Sequence, residues 1–239
     1  MSYDVSKLEG NKRHAIAISS NIPRRFIGME PSDIKEAMGS FPEEIEEWIT
    51  NVLEGRVIKQ LGGIGVTGVG LLFDGGPGLG KTTHAVVTLM ELIRRLPEDQ
   101  ASKIFMTAGS EVSRNFRSIY YLTFPEFLVR KKAIMEADPE TKRELYEEME
   151  GLHGRSKNDN LNVRILVLDD LGKEYGSKYV DASFDEILRS RYDKGLPTIV
   201  TTNLLREKWA AQYGEAMGSF AYEAFVRVQL GAKDLRKNA

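Results

Sequence analysis

The sequence predicts an α/β fold, a five-stranded parallel sheet flanked by helices, and three observations predict it. Short apolar runs recur along the chain, amphipathic segments separate them, and a glycine-rich turn joins the first run to a helical pattern. The runs are 69–75 (VGLLFDG), 103–108 (KIFMTA), 163–170 (VRILVLDD), 197–203 (PTIVTTN) and 225–230 (FVRVQL). None alternates strictly between polar and apolar residues, so each suits a strand covered on both faces, and the segments between them suit the crossovers that parallel strands require.

Composition bounds the rest. A chain of 239 residues with 41% hydrophobic content can bury one substantial core, so one main domain with a small N-terminal appendage is expected. Residues 1–40 are polar and punctuated by Gly, Pro and Ser, which reads as an arm or linker, leaving 41–239 as the domain. Ser40-Phe41-Pro42-Glu43 has the form of a capping box, and Ile45, Trp48, Ile49, Val52 and Leu53 follow at helical spacing. The stretch 61–70 (LGGIGVTGVG) reads as a glycine-rich approach to the first run. Residues 133–160 are highly charged and read as an inserted, solvated helix and loop.

With no cysteine, the chain can form neither a disulfide, a thiolate zinc site nor a Cys nucleophile. It begins without an apolar signal segment and has no run of ~18 apolar residues, so a soluble, cytoplasmic protein with no membrane partner is expected. The net charge of −2 requires any nucleic-acid contact to come from a local basic surface.

The chemistry begins after the first run. Gly75-Gly76-Pro77-Gly78-Leu79-Gly80-Lys81-Thr82 satisfies G-x-x-x-x-G-K-[ST] between a strand and a helix, and Thr83 follows at the helix start. Glycines let backbone N–H groups turn inward around a phosphate, and the helix N-terminus adds partial positive charge. Lys81 is placed to reach the β- and γ-phosphates, and the Thr82 hydroxyl to ligate Mg²⁺.

Two later runs complete the expected site. Residues 163–170 end in Asp169, which can hold Mg²⁺ through a water at the carboxyl edge of the sheet, and in Asp170, which can polarise the attacking water. Residues 197–203 end in Asn203, whose amide can hydrogen-bond the γ-phosphate or that water; capping of the next helix is the competing reading.

In this order the motifs resemble those of AAA+ ATPases. NIPRRF (21–26), LVLDDLGKE (166–174), RYDKGLPTIVTTNL (191–204) and GAKDLRKN (231–238) resemble the DnaC/DnaI-type replicative helicase loaders and the IstB-type transposition helpers, in particular short phage-encoded loader-like ATPases. The resemblance implies an ATP- and ADP-binding enzyme that uses Mg²⁺, with Ile22-Pro23 against the adenine and Asn203 as the sensor-1 residue. It implies a ring or spiral of identical subunits when ATP is bound, with a replicative DNA helicase and single-stranded DNA as partners. If the protein is phage-encoded, its place is the cytoplasm of a bacterial host. It also implies a trans-acting arginine, for which Arg227, Arg189 and Arg191 are alternatives, and no C-terminal helical lid.

The DNA reading falls on 113–132 (SRNFRSIYYLTFPEFLVRKK). Arg114, Arg117, Arg130, Lys131 and Lys132 could pair with phosphates, while Tyr120 and Tyr121 could stack on bases. The competing reading is a helix pair with aromatics in the core and solvated cations. A transposase client, a nucleotide-dependent DNA-binding module with little turnover and a small-molecule kinase are the alternative functions; the second and third motifs argue against the kinase.

Overall fold

The protein is described by a computed structural model covering residues 16–54, 58–61, 65–95, 119–172 and 177–230. Helical residues 16–19 and a 3₁₀ turn at Arg24–Phe26 lead into α1 (Pro31–Met38) and α2 (Glu43–Leu53). A hairpin of β1 (Ile58–Leu61) and β2 (Gly65–Gly68) precedes β3 (Gly70–Asp74) and α3 (Lys81–Arg95). β4 (Ile119–Thr123) runs directly into α4 (Phe124–Glu136), and α5 (Pro139–His153) follows. Then come β5 (Ile165–Leu171), α6 (Lys178–Asp193), β6 (Thr198–Thr202), α7 (Trp209–Tyr213), α8 (Glu215–Ala224) and β7 (Phe225–Val228).

The main sheet has the order β4-β5-β6-β3-β7, and every pair in it is parallel. Burial explains why its central strands read as continuous apolar runs: all five residues of β3 and all five of β6 are buried. Alternation appears only in which core each side chain joins. Leu71, Phe73, Val167 and Ile199 pack with α2 and α3 on one face, whereas Leu72, Leu166, Leu168 and Val200 pack with α4, α6 and α7 on the other.

Several expectations are revised. The run 103–108 lies outside the described residues, and the edge strand beside β5 is β4, built from residues expected to line a DNA path. The segment expected as an arm supplies Ile16, Ala17, Ile22, Phe26 and Ile34 to the core shared with α3. Ser40 does not cap α2, whose N-cap position is Pro42 with no side-chain cap. Phe41 instead turns inward and stacks on His84 at 6.2 Å, and the capping box belongs to α1, between Glu30 and Asp33. The glycine-rich approach holds all of β2 but only the last residue of β1, the strand with which β2 pairs antiparallel. The charged insertion is largely α5 and the end of α4, with Met149, Leu152 and His153 buried beneath it. Among the described residues no helix is long and apolar enough to cross a membrane.

Candidate functional site

β3 delivers the chain to the carboxyl edge of the sheet, and the loop 75–80 turns it into α3. Gly75, Gly78 and Gly80 have φ of 134°, 84° and 73°, a region that L-side chains rarely occupy, so the motif's glycines are required by the turn. Lys81 opens the helix. It is 8% exposed, and its ammonium donates to the carbonyls of Gly75 (2.9 Å) and Gly76 (2.6 Å), which folds the side chain back along the loop. Pro77 is exposed, whereas Leu79, Thr82 and Thr83 are half-buried.

Asp169 faces this loop from β5. The Thr82 hydroxyl donates to its Oδ1 at 2.9 Å and Oδ2 at 3.1 Å. Thr201 of β6 donates to Oδ1 at 2.5 Å, and Tyr121 of β4 donates to Oδ2 at 2.6 Å. A carboxylate that is 2% exposed is thus held by hydroxyls from three separate elements, and none of these brings a positive charge. Burial, and then the Asp169 carboxylate, push the Tyr121 phenol well above its ordinary pKa, so it remains a donor.

A divalent cation fits this chemistry. The Thr82 hydroxyl and Asp169 carboxylate are hard oxygen donors already within hydrogen-bond distance, and a cation would bring a positive charge that the three hydroxyls do not. Among the described residues no group of three or more His, Cys, Asp or Glu gathers, at this site or away from it, so Mg²⁺ here would draw its remaining ligands from phosphate and water.

Asp170 occupies a different environment. The β5–β6 register breaks between Leu168 and Leu171, and within that bulge Asp170 adopts φ 63°. Such a backbone costs of order 1–3 kcal/mol, though Asp tolerates it better than most residues. Its N–H donates to Thr201 Oγ1 at 2.9 Å, so the same hydroxyl that grips Asp169 also fixes the bulge. Asn203 is exposed, one residue beyond β6, at the edge between the strands that carry the other motifs. Thr202 secures that edge by donating to the carbonyl of Leu171 at 2.9 Å. Ile22 is buried in the core and Pro23 is half-buried above it.

Other expected residues are redistributed. Tyr120 and Tyr121 are 4% and 5% exposed in β4 and do not stack on bases, a correction that follows from their strand alternation into opposite cores. Arg130 pairs with Glu126 and Glu148, and Lys131 with Glu186 at 2.8 Å, so carboxylates occupy both cations. Lys132 is exposed, while Arg114 and Arg117 lie outside the described residues.

Among the arginines, Arg191 is corrected outright. It is 0% exposed and donates to the carbonyls of Leu152, Val163, Arg164 and Pro197 and to Thr198 Oγ1, at the amino ends of β5 and β6, opposite the phosphate loop. Arg227 lies in β7 and pairs within its own chain with Asp74 at 2.8 Å and with Glu207. Arg189 pairs with Asp185 at 2.7 Å and lies 4.6 Å over the Phe220 ring, with its side chain 40% exposed.

Thr201 and Asp74 are site-edge residues that the sequence did not single out, whereas Tyr121 and Arg227 were expected in other roles, at DNA and across a subunit boundary. The signal for Thr201 was the polar pair preceding Asn203; that for Tyr121 was the run IYYLT, hidden by assigning the second strand to 103–108.

No protein family and no curated protein matches the chain by sequence. Solved structures do match it. The DnaC helicase loader aligns over 87% of this chain and 100% of its own, with 24% identity and a TM-score of 0.53. DnaI aligns over 88% of this chain and 95% of its own, with 20% identity and a TM-score of 0.50. Domain III of the Thermotoga maritima replication initiation protein DnaA aligns over 89% and 68%, with 17% identity and a TM-score of 0.51. At these identities the likeness shows the fold alone: the chain shares its parallel α/β architecture with the DnaC helicase loader, DnaI and domain III of DnaA.

Proposed function

We propose that the protein is a Mg²⁺-dependent ATPase that acts as a helicase loader in DNA replication, with ATP binding and hydrolysis controlling delivery of a replicative helicase to single-stranded DNA. The observation that carries the nucleotide reading is the Thr82–Asp169 contact across the glycine loop, which brings two distant motifs to one point. The choice of client is supported by the shared fold with the DnaC helicase loader and by the motifs quoted above.

In this reading the loop amides from Gly75 to Thr83 cradle the phosphates, Lys81 exchanges its loop carbonyls for the β- and γ-phosphate oxygens, and Ile22-Pro23 borders the adenine. Thr82 and Asp169 hold Mg²⁺, which when bound supplies charge neutralisation on the phosphates. Asp170 accepts a hydrogen bond from the attacking water and Asn203 orients it. The subunits associate in a ring or spiral in the ATP state, in the cytoplasm.

A second reading, a nucleotide-dependent DNA-binding module with little turnover, is favoured by the arginines. Arg191 is committed to the core, and Arg227 and Arg189 are each paired within their own chain, so all three candidates for a cross-subunit arginine are engaged. Steady-state hydrolysis and co-sedimentation, each with and without single-stranded DNA and the replicative helicase of the native cell, separate the readings. A loader forms an ATP-dependent complex with helicase and hydrolyses ATP at a rate these partners change. ATP-dependent DNA binding with no helicase complex and no turnover supports the module; capture of a transposase instead of a helicase gives the transposition helper.

A further inference from the structure

Asp169 has three donors, and they are not equivalent. Thr82 is claimed in the reading above by the cation, so its hydroxyl must turn away from the carboxylate when Mg²⁺ arrives. Tyr121 on Oδ2 and Thr201 on Oδ1 remain, gripping opposite oxygens. Tyr121 is also anchored on its own account. β4 is the edge strand of the sheet, and at Tyr121 its outer side is closed by the N-terminal segment: the Tyr121 N–H donates to the carbonyl of Ser20 at 2.8 Å, and Asn21 Nδ2 donates to the carbonyl of Tyr121 at 2.9 Å. Asn21 accepts a left-handed backbone, φ 58°, in making that contact. Tyr121 therefore has both of its backbone groups tied to the N-terminal segment and its ring packed in the core.

Resting on the Mg²⁺·ATP reading of this site, we infer that Tyr121 is a positioning residue: its hydroxyl fixes the Asp169 carboxylate in the orientation that the metal requires, and the Ser20–Asn21 clamp on β4 fixes Tyr121. Groups that orient metal-holding carboxylates set metal affinity, and their loss typically lowers it 10–100-fold. Thr201 secures one oxygen only, so without Tyr121 the carboxylate is free to rotate about its last torsion. The neighbouring Tyr120 serves as an internal control, because its hydroxyl lies in the opposite core and meets Arg130 at 3.3 Å.

The test is equilibrium binding of a fluorescent ATP analogue to the full chain, in EDTA and across a Mg²⁺ titration, for the wild type, Tyr121→Phe and Tyr120→Phe, with thermal unfolding of each as the fold control. Tyr121→Phe keeps the ring and all strand pairing, so it is expected to fold. The inference predicts that Mg²⁺ tightens wild-type binding, that Tyr121→Phe loses about tenfold of that tightening with its affinity in EDTA unchanged, and that Tyr120→Phe behaves as the wild type. Undiminished or greater tightening in Tyr121→Phe overturns the positioning role while leaving the site intact. Equal loss in both tyrosine variants also overturns it, since the effect would then belong to the strand and not to the hydroxyl. Absence of Mg²⁺-linked tightening in the wild type overturns the Mg²⁺·ATP reading itself, an outcome seen without any variant.

Discussion

Asp169 and Asp170 are adjacent in the chain and opposed in environment: one is 2% exposed beneath three hydroxyls, the other is half-buried on a left-handed backbone. Their amides should therefore fail differently. Asp170→Asn is expected to bind Mg²⁺·ATP as the wild type does and to hydrolyse it at least about 100-fold more slowly, because an amide polarises water poorly. Asp169→Asn should instead raise the Mg²⁺ concentration needed for half-maximal nucleotide affinity; a nucleotide-binding titration and a hydrolysis assay on both variants check this, and identical behaviour contradicts the division of roles. At the same scale, Arg191→Ala leaves five acceptors without their shared donor. A loss of a few kcal/mol in urea unfolding is expected, about 1–3 kcal/mol for each buried acceptor that water does not reach, with nucleotide affinity of the folded fraction unchanged, because the residue lies at the opposite edge of the sheet. Lys81, Thr82 and Asp169 were legible in the sequence because the spacing of a phosphate loop and an acid-terminated strand constrains them locally. Arg191 was not: in "RSRYD" it has the appearance of one more charge on a helix, and only tertiary packing shows the acceptors that surround it.

At the scale of elements, α5 ends in His153, whose Nδ1 is buried without a hydrogen-bond partner. Burial, and after it the Arg155 charge, push its pKa down to about 3. Lys131 and Arg191 act in the same direction and Glu186 against it. The unfolded chain takes up this proton near pH 6.5, and the folded chain refuses it until about pH 3. His153 therefore contributes stability in full above pH 6.5 that is lost as the pH falls below it, by up to about 2 kcal/mol at pH 5. Urea unfolding at pH 7.5 and pH 5 should show that loss, and His153→Phe should reduce it. A remainder belongs to His84, whose pKa burial also lowers, and Glu186, whose desolvation is outweighed by bonds from Lys131 and Arg155 that hold it down to about 2, acts only below about pH 4.5. Strands β3, β5 and β6 were readable because burial on both faces leaves a short run of consecutive apolar residues in each, with polar residues at the ends. β4 was not, since its two tyrosines lie between cations and imitate a nucleic-acid surface until their alternate burial is seen. The N-terminal segment misled for a related reason: its apolar residues are sparse, but each of Ile16, Ile22, Phe26 and Ile34 reaches the core.

For the whole molecule, the net charge of −2 means that attraction to DNA must be local. With Tyr120 and Tyr121 in the core and Arg130 and Lys131 paired, we propose that the DNA contact rests on Lys132 with Arg114 and Arg117. Removing one cation that pairs with a phosphate of a single strand should flatten the slope of log K against log salt by roughly 0.7. Alanine at Lys132, Arg114 and Arg117 should thus lower affinity and slope together, whereas Tyr120→Phe should change neither; fluorescence anisotropy across a salt series measures both. The parallel sheet and the convergence of three motifs on one edge were legible from the chain alone, because each motif ends or follows an apolar run and so falls at a strand's carboxyl end. The bonds that orient Asp169 were not legible, because they join residues far apart in sequence whose types are common in any sheet. The central claim is that the loop between β3 and α3 binds Mg²⁺·ATP through Lys81, and equilibrium titration of ATP in Mg²⁺ against the wild type and Lys81→Ala tests it most directly. The account predicts saturable binding by the wild type and a loss of roughly 100-fold or more in a variant that unfolds as the wild type does, the charged hydrogen bonds to phosphate being worth about 1.5–3 kcal/mol each. Equal affinity in the two folded proteins, or none in the wild type, would contradict it.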